Sequence, residues 1–280
     1  MYLIIKMLKD TLYIHDTMFS HAKSSSWYNE PELFDWVRKY DENHLVFTDY
    51  SLSQVDNFSN KKKYAWLLES PEITPFAYNF IKENYEKFDL IFTFDEELLK
   101  ISEKFILVPY GGCWVETEDR KIHDKFKETS IILSNKKITE GHKLRHEIAD
   151  IFDKIDMYGY KNPIDKKIKA LKDYRFSIVI ENCKKDFYFS EKIVDCFITG
   201  TIPIYWGCPS IGEFFDQEGI LTFDTIEDLK IILNSLNKDL YETKKTHIKN
   251  NFEKCKKYLI SDNILYNKLK EYEKTSSQLF

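Results

Sequence analysis

Short runs of β-branched and aromatic residues alternate along the chain with charged segments of helix length. This alternation is typical of α/β folds, in which helices connect the strands of a sheet. A polar stretch after Gly112 separates two such series, and 280 residues are enough to give each series its own core. The sequence therefore predicts two α/β halves, with the cleft between them as the expected site.

The first half is predicted to contain five strands and two helices. The strands are residues 11–14, 44–48, 64–68, 90–93 and 105–108, and the helices are residues 30–40 and 75–87. In the second half the predicted strands are residues 130–133, 155–158, 176–180, 202–206 and 219–223. The helices between them are residues 142–154, 164–170, 190–199 and 226–237.

These elements divide the chain into an N-terminal domain at residues 1–115 and a C-terminal domain at residues 116–237. Residues 238–280 form a third segment with ten lysines against six acidic residues. We predict that this segment is a basic helical tail that packs back on the N-terminal domain. A helix that contacts a membrane surface weakly, or that binds a partner, is the alternative.

Charge and cysteine content exclude several classes of protein. The chain carries 41 basic and 46 acidic side chains, and this net charge of -5 disfavours a protein that holds long nucleic acid. Five cysteines without a Cys-x-x-Cys pair indicate neither a disulfide framework nor a thiolate zinc site. Residues 1–8 lack the features of a signal peptide, and no stretch approaches the ~18 apolar residues of a membrane span. We expect a soluble cytoplasmic protein.

Several familiar ligand motifs are absent from the sequence. It contains no Gly-x-Gly-x-x-Gly, no phosphate-binding loop, no His-Glu-x-x-His and no Gly-x-Ser-x-Gly. It also lacks the Asp-x-Asp pair through which many glycosyltransferases hold a nucleotide diphosphate by a divalent ion. A diphosphate bound here must therefore be neutralised by side chains and backbone.

The densest group of polar residues follows a predicted buried strand of the second half. Glu181 and Asn182 stand at its carboxyl end, where open α/β sheets bind ligands. Ser190 fits a helix N-cap, which places Glu191 and Lys192 in the first helical turn, where an anion such as a diphosphate is favoured. A carboxylate there can accept both hydroxyls of a ribose, and the lysine offsets phosphate charge.

In segments 176–182, 188–192 and 200–207 the sequence resembles the α-1,3-fucosyltransferase family. The spacing of Phe-x-x-x-x-Glu-Asn, Tyr-x-Ser-Glu-Lys and Gly-x-x-Pro-Ile-x-x-Gly matches the family pattern, with Ser190 where threonine is usual. Segment 66–71, Trp-Leu-Leu-Glu-Ser-Pro, resembles a further family motif, and residues 144–159 resemble the family's helix that begins near an arginine, here Arg145, and the following strand that ends in glycine. The family is a metal-independent, inverting group of glycosyltransferases. It has two Rossmann-like domains that face each other across a cleft, the GT-B architecture.

The resemblance implies a role for each matched residue. Glu69 would be the general base that takes the proton of the acceptor hydroxyl. Arg145, one of four arginines, would hold the departing diphosphate together with Lys192. The other donor-binding residues would be Glu191 at the ribose, Asn182 and Tyr188 along the nucleotide cleft, and Glu181, which would orient either the loop or the sugar.

The region expected to bind the acceptor matches the family pattern less closely. The N-terminal domain would bind the acceptor, and a polar loop at residues 15–28 follows its first predicted strand. His15 and His21 in this loop are candidate acceptor-binding residues, and an ordinary polar loop is the alternative. Residues 183–187, Cys-Lys-Lys-Asp-Phe, depart from the family pattern and leave the donor less certain than the reaction class.

The resemblance implies an inverting transfer of L-fucose from GDP-fucose to a hydroxyl of a glycan or lipopolysaccharide-type acceptor, with no metal or other cofactor. Two alternatives remain open. The same fold and mechanism could use another nucleotide sugar, or the chain could be an inactive module that binds a nucleotide or a glycan.

Overall fold

The computed structural model describes residues 9–26, 29–39, 41–59, 61–160 and 162–277. Within these ranges the N-terminal half forms a parallel sheet of six strands in the order β2-β1-β3-β4-β5-β6. The strands are β1 (Asp10–His15), β2 (Phe34–Val37), β3 (His44–Thr48), β4 (Lys62–Trp66), β5 (Leu90–Thr93) and β6 (Phe105–Leu107). Helices α1 (Pro75–Asn84) and α2 (Glu96–Leu99) and a 3-10 helix (Asp49–Asn57) connect them.

The C-terminal half forms a second parallel sheet in the order β11-β10-β9-β7-β8. Its strands are β7 (Lys127–Leu133), β8 (Asp156–Gly159), β9 (Tyr174–Ile180), β10 (Ile202–Trp206) and β11 (Leu221–Thr222). Its helices are α3 (Glu140–Ile151), α4 (Glu191–Thr199) and α5 (Ile226–Ser235). The prediction of two α/β halves is confirmed. The predicted helix at residues 164–170 is only a 3-10 turn, Lys167–Ala170.

The tail consists of α6 (Lys238–Thr243), α7 (Lys245–Cys255) and α8 (Ser261–Ser277). Helix α7 packs on α4 of the C-terminal half. Leu265 and Leu269 of α8 are buried in the core beneath the N-terminal sheet. The tail therefore packs on both halves, and only α8 makes the predicted return to the first. In the described part of the chain, no helix has the length and apolar character needed to cross a membrane.

The predicted helix at residues 30–40 is wrong, because this segment contains strand β2. Phe34 and Trp36 are buried on one face, while Asp35 between them is exposed, which is the period of a strand. The Phe34 ring stacks on Tyr266 of α8, and Trp36 Nε1 donates to Asp262 at 2.7 Å. Contacts with a helix more than 200 residues away thus select the strand.

A glycine pair connects the two halves. Gly111 and Gly112 both have positive φ values, 57° and 90°, which favour glycine. Gly111 N donates to Phe189 O at 3.1 Å, and Gly112 N donates to Tyr258 O at 2.8 Å. A Cβ atom at Gly111 would lie 2.7 Å from that same carbonyl oxygen. The connection is therefore packed tightly against the C-terminal half and the tail.

Side chains also join the halves beside the cleft. Lys185 Nζ pairs with the buried Asp95 at 3.0 Å, and the rings of Phe94 and Tyr188 lie 4.8 Å apart. In addition, Glu72 accepts a hydrogen bond from the backbone N–H of Glu140 at 3.2 Å. These contacts hold the N-terminal half against the first turn of α3 and the loop after β9.

Candidate functional site

A cavity of about 730 Å³ lies between the carboxyl ends of the two sheets. The ends of β4, β7 and β9 and the first turns of α3 and α4 contribute its walls. Most of the residues predicted for catalysis and donor binding line it. They are Glu69, Arg145, Asn182, Tyr188, Glu191 and Lys192.

Glu69 reaches the cleft from the loop after β4. Its backbone is fixed by two neighbours: Tyr78 Oη donates to Glu69 O at 2.8 Å, and Glu69 N donates to Asp49 at 3.4 Å. Asp49 also accepts from Leu68 N at 3.0 Å and from Thr74 Oγ1 at 3.2 Å. Asp49 is buried, and burial raises its pKa to about 7. No sequence motif singled out this residue, which positions the Glu69 loop.

The electrostatic surroundings of Glu69 suit a proton acceptor. Burial raises the pKa of its carboxyl, and the negative charge of Glu191 acts in the same direction. The positive charge of Lys192 opposes both effects. A carboxylate whose pKa is raised toward neutrality binds a proton more strongly and so is a better general base.

Glu181 does not line the cleft but lies fully buried behind it. Its carboxylate accepts from Ser190 N at 2.9 Å and from Ser190 Oγ at 2.6 Å, and Lys192 Nζ lies 3.5 Å away. Of the two roles considered for Glu181, these contacts are those of a residue that orients the loop. A Cβ at Gly141 would lie 1.7 Å from Glu181 O, so only glycine lets α3 approach the end of β9 this closely.

Glu191 lies in a buried network with two lysines. Lys167 Nζ lies 3.0 Å from Glu191 Oε1 and 2.9 Å from Asp195 Oδ2, and also 4.4 Å from the centre of the Trp114 ring. Burial alone would raise the pKa of Glu191, but Lys167 and Lys192 outweigh burial and hold that pKa at about 2. Sequence reasoning missed Lys167, because no pattern distinguished it from surface lysines.

Arg145 is buried beside the end of β9. Its Nε and Nη2 donate to Ile180 O at 3.1 and 2.7 Å, and Nη2 also donates to Asn182 Oδ1 at 3.0 Å. Within the described ranges, no group accepts a hydrogen bond from Nη1. The guanidinium is thus held rigidly while part of its donor capacity remains for a ligand.

Tyr188 lines the cleft, but the two candidate acceptor-binding histidines do not. Tyr188 is buried and packs on Phe94, so it joins the halves as well as lining the cleft. His15 lies 2.8 Å from Gln54 and packs on Phe58, and neither His15 nor His21 lines the cleft. Positions 27 and 28 of the same loop lie outside the described residues. Ser51 Oγ, in the 3-10 helix after β3, donates to His15 O at 2.6 Å, so His15 is held by this helix.

Three cationic side chains gather around the cleft. Arg145, Lys192 and Lys136 all line it, and all three act electrostatically on His142 at the start of α3. Such a cluster attracts a compact anion. No group of three or more His, Cys, Asp or Glu side chains that could hold a metal ion occurs in the described part of the chain.

Two α/β domains with parallel sheets and a cleft at their carboxyl ends define the GT-B class of glycosyltransferase folds. A crystal structure of an α1,3-fucosyltransferase with GDP is similar over 95% of this chain and 91% of its own, with a TM-score of 0.54 and 16% identity. A second crystal structure of an α1,3-fucosyltransferase, with GDP-fucose, is similar over 87% of this chain and 83% of its own, with a TM-score of 0.52 and 18% identity.

Sequence comparison also finds fucosyltransferases among the similar proteins. Over 93 residues, 33% of this chain, it is 32% identical to an α-(1,3)-fucosyltransferase of Helicobacter pylori. Over 82 residues it is 37% identical to a fucosyltransferase-like protein of Arabidopsis thaliana. The matched segments span only 16% of the length of each relative, and no protein-family model matches the chain. The resemblance to α-1,3-fucosyltransferases is confirmed.

Proposed function

We propose that this protein is an inverting, metal-independent glycosyltransferase that transfers L-fucose from GDP-fucose to a hydroxyl of a glycan acceptor. One observation carries the proposal: Glu69 from one half and Arg145 with Lys192 from the other line the same cleft. A base from one half and a cationic diphosphate site from the other, facing one cavity, suit an in-line displacement at a sugar. The names of the similar proteins support fucose and GDP as the donor groups.

The reaction follows from this arrangement. Glu69 removes the proton from the acceptor hydroxyl as that oxygen attacks the anomeric carbon. The new carbon–oxygen bond forms on the face opposite GDP, the bond to the β-phosphate oxygen breaks, and the configuration at the anomeric carbon inverts. Arg145 and Lys192 stabilise the negative charge that develops on the departing diphosphate.

The donor is tested by thermal shift with GDP, UDP, ADP and CMP in the presence of excess chelator. A ligand that binds only the folded state stabilises it by about 2.7 kcal/mol at a concentration 100 times its Kd. We expect GDP to raise the melting temperature most, and fucosyl transfer to continue with chelator present. A preference for UDP would exclude the GDP assignment, and loss of transfer in chelator would exclude the metal-independent mechanism.

A different nucleotide sugar in place of GDP-fucose is the main alternative, because residues 183–187 depart from the family pattern beside the nucleotide cleft. An inactive nucleotide- or glycan-binding module is the other. GDP binding with neither transfer nor slow donor hydrolysis, across a broad acceptor panel, would favour that module. We propose that the N-terminal half binds a glycan or lipopolysaccharide-type acceptor and that the protein is cytoplasmic. A glycan array with the preferred donor identifies the acceptor.

Arg145→Lys is expected to weaken GDP binding by about tenfold to a hundredfold, because a lysine keeps the charge but loses the planar fork that matches phosphate. Isothermal titration calorimetry measures this. Arg175→Lys is the matched control, since Arg175 pairs with Glu128 outside the cleft. Equal GDP affinity in Arg145→Lys and the wild type would remove Arg145 from the diphosphate site.

A further inference from the structure

His142 is a cleft residue to which neither the family motifs nor the proposed mechanism gives a role. It occupies the third position of α3 and lines the cavity, yet only 4% of its surface is exposed. Arg145 lies one turn further along the same helix. The imidazole is therefore placed against the same space as the guanidinium that we assign to the diphosphate.

The hydrogen bonds of His142 define its tautomer. The backbone N–H of Thr139 donates to Nδ1 at 3.3 Å, and Thr139 Oγ1 lies 2.7 Å from the same nitrogen. A backbone N–H can only donate, so Nδ1 is an acceptor and the hydroxyl of Thr139 donates to it as well, while Oγ1 accepts from His142 N at 3.2 Å. A nitrogen that accepts these bonds carries no proton, so the proton of the neutral ring is on Nε2.

The ring is also kept neutral. Burial lowers the pKa of His142 to about 4, and the positive charges of Arg145, Lys192 and Lys136 act in the same direction. At neutral pH the side chain is therefore an uncharged N–H donor. It adds a hydrogen bond to the cation cluster without adding a further positive charge.

The Nε2–H group has no acceptor among the residues described. Ser70 Oγ is the one fully buried side-chain polar atom of the described residues that has no partner, so Nε2 is in contact with the open cleft, where a ligand can supply the acceptor. Arg145, Lys192 and Lys136 line the same cavity and act electrostatically on the ring, and these three cations favour an anionic ligand in this space. A phosphate oxygen fits both requirements, because it is a strong acceptor with negative charge.

We propose that His142 donates a hydrogen bond from Nε2 to an oxygen of the donor's diphosphate, as a neutral partner to Arg145. This inference rests on the proposed function for the identity of the ligand, a nucleoside diphosphate. It assigns His142 to substrate binding in addition to its place in the N-terminal cap of α3.

His142→Asn separates the two roles. The asparagine Oδ1 takes the place of Nδ1 as an acceptor for Thr139 N, so the helix cap is kept, but no donor remains at the position of Nε2. We expect calorimetry to show GDP affinity reduced by about fivefold to twentyfold, with guanosine affinity unchanged. His247→Asn is the control, because His247 pairs with Asp216 outside the cleft and its replacement leaves GDP affinity unchanged.

A second measurement uses the wild-type protein and does not depend on how the variant folds. Nitrogen-15 spectra of the histidine rings should show a proton on Nε2 of His142, and its signal should shift on addition of GDP but not of guanosine. Wild-type GDP affinity in His142→Asn, or an Nε2 signal that GDP does not move, would overturn this inference alone. Failure of the wild type to bind any nucleoside diphosphate would overturn the proposed function with it.

Discussion

We expect Glu69→Gln to lower the rate of glycosyl transfer by about 10²- to 10⁴-fold, the usual contribution of a general base, and to leave GDP affinity at the wild-type level. The amide has nearly the shape of the carboxylate but cannot take the proton of the acceptor hydroxyl. The contacts that place this loop are made by the backbone of residue 69, to Asp49 and Tyr78, and survive the change. The variant therefore tests the chemistry of the side chain rather than the integrity of the fold.

The measurement is the transfer rate at saturating donor together with the pH profile of kcat/KM. In the wild type we expect kcat/KM to fall on the acid side with an apparent pKa above the ordinary value for glutamate, because burial raises the pKa of Glu69. Glu72→Gln is the matched control: Glu72 accepts from Glu140 N, a contact that glutamine can keep, so transfer remains near the wild-type rate. Full transfer by Glu69→Gln protein with normal GDP binding would show that Glu69 is not the base.

Lys167→Met is expected to lower the free energy of unfolding by about 3–5 kcal/mol at neutral pH, since removing one partner leaves buried charges uncompensated. Lys167 is the cation shared by Glu191 and Asp195, and Asp195 is almost completely buried. Methionine keeps an unbranched apolar stem beside Trp114, so the change removes mainly the charge. Urea denaturation at neutral pH measures the loss.

The pH dependence of that loss has a defined sign. In the wild type the pKa of Glu191 is held at about 2, so its contribution to stability is complete above about 4.3, the ordinary value, and is lost as the pH falls toward 2. In Lys167→Met the unpaired carboxyls favour their protonated forms, so the variant gains stability as the pH falls. The difference in free energy of unfolding between wild type and Lys167→Met should therefore become smaller as the pH falls.

Lys169→Met provides the control for this prediction. Lys169 belongs to the same 3-10 turn but pairs with Asp165 on the surface, where solvent screens the ion pair and it contributes little to stability. Its replacement should leave the denaturation midpoint nearly unchanged. If the difference in free energy of unfolding between Lys167→Met and wild type stays constant from neutral to acid pH, the charge network of Lys167, Glu191 and Asp195 is contradicted.

The sequence alone was sufficient to predict the features that depend on residues close together in the chain. Most strands were predicted close to their observed positions, because β-branched and aromatic runs form buried parallel strands in many tertiary contexts. The segment from Glu181 to Lys192 was also readable, since a strand end followed by a capped helix gathers these residues over a few positions. The residues predicted for the donor site accordingly lie around one cleft, with Glu181 just behind it.

Only the tertiary structure decided the features that depend on distant partners. Strand β2 was mistaken for a helix because α8, far along the chain, provides the surface that buries Phe34 and Trp36. Asp49 and Lys167 carried no pattern, because their importance arises from burial beside groups on other elements.

The amino-acid sequence by itself therefore determined the fold class and the grouping of residues from Glu181 to Lys192, since both depend on local spacing and burial pattern. The folded structure decided which charges are compensated. It also placed Glu69 in the same cleft as the cation cluster and left Nε2 of His142 without an acceptor among the described residues. Electrostatic and hydrogen-bond energies depend on three-dimensional distance and burial, and these quantities are set only when the two halves and the tail pack together.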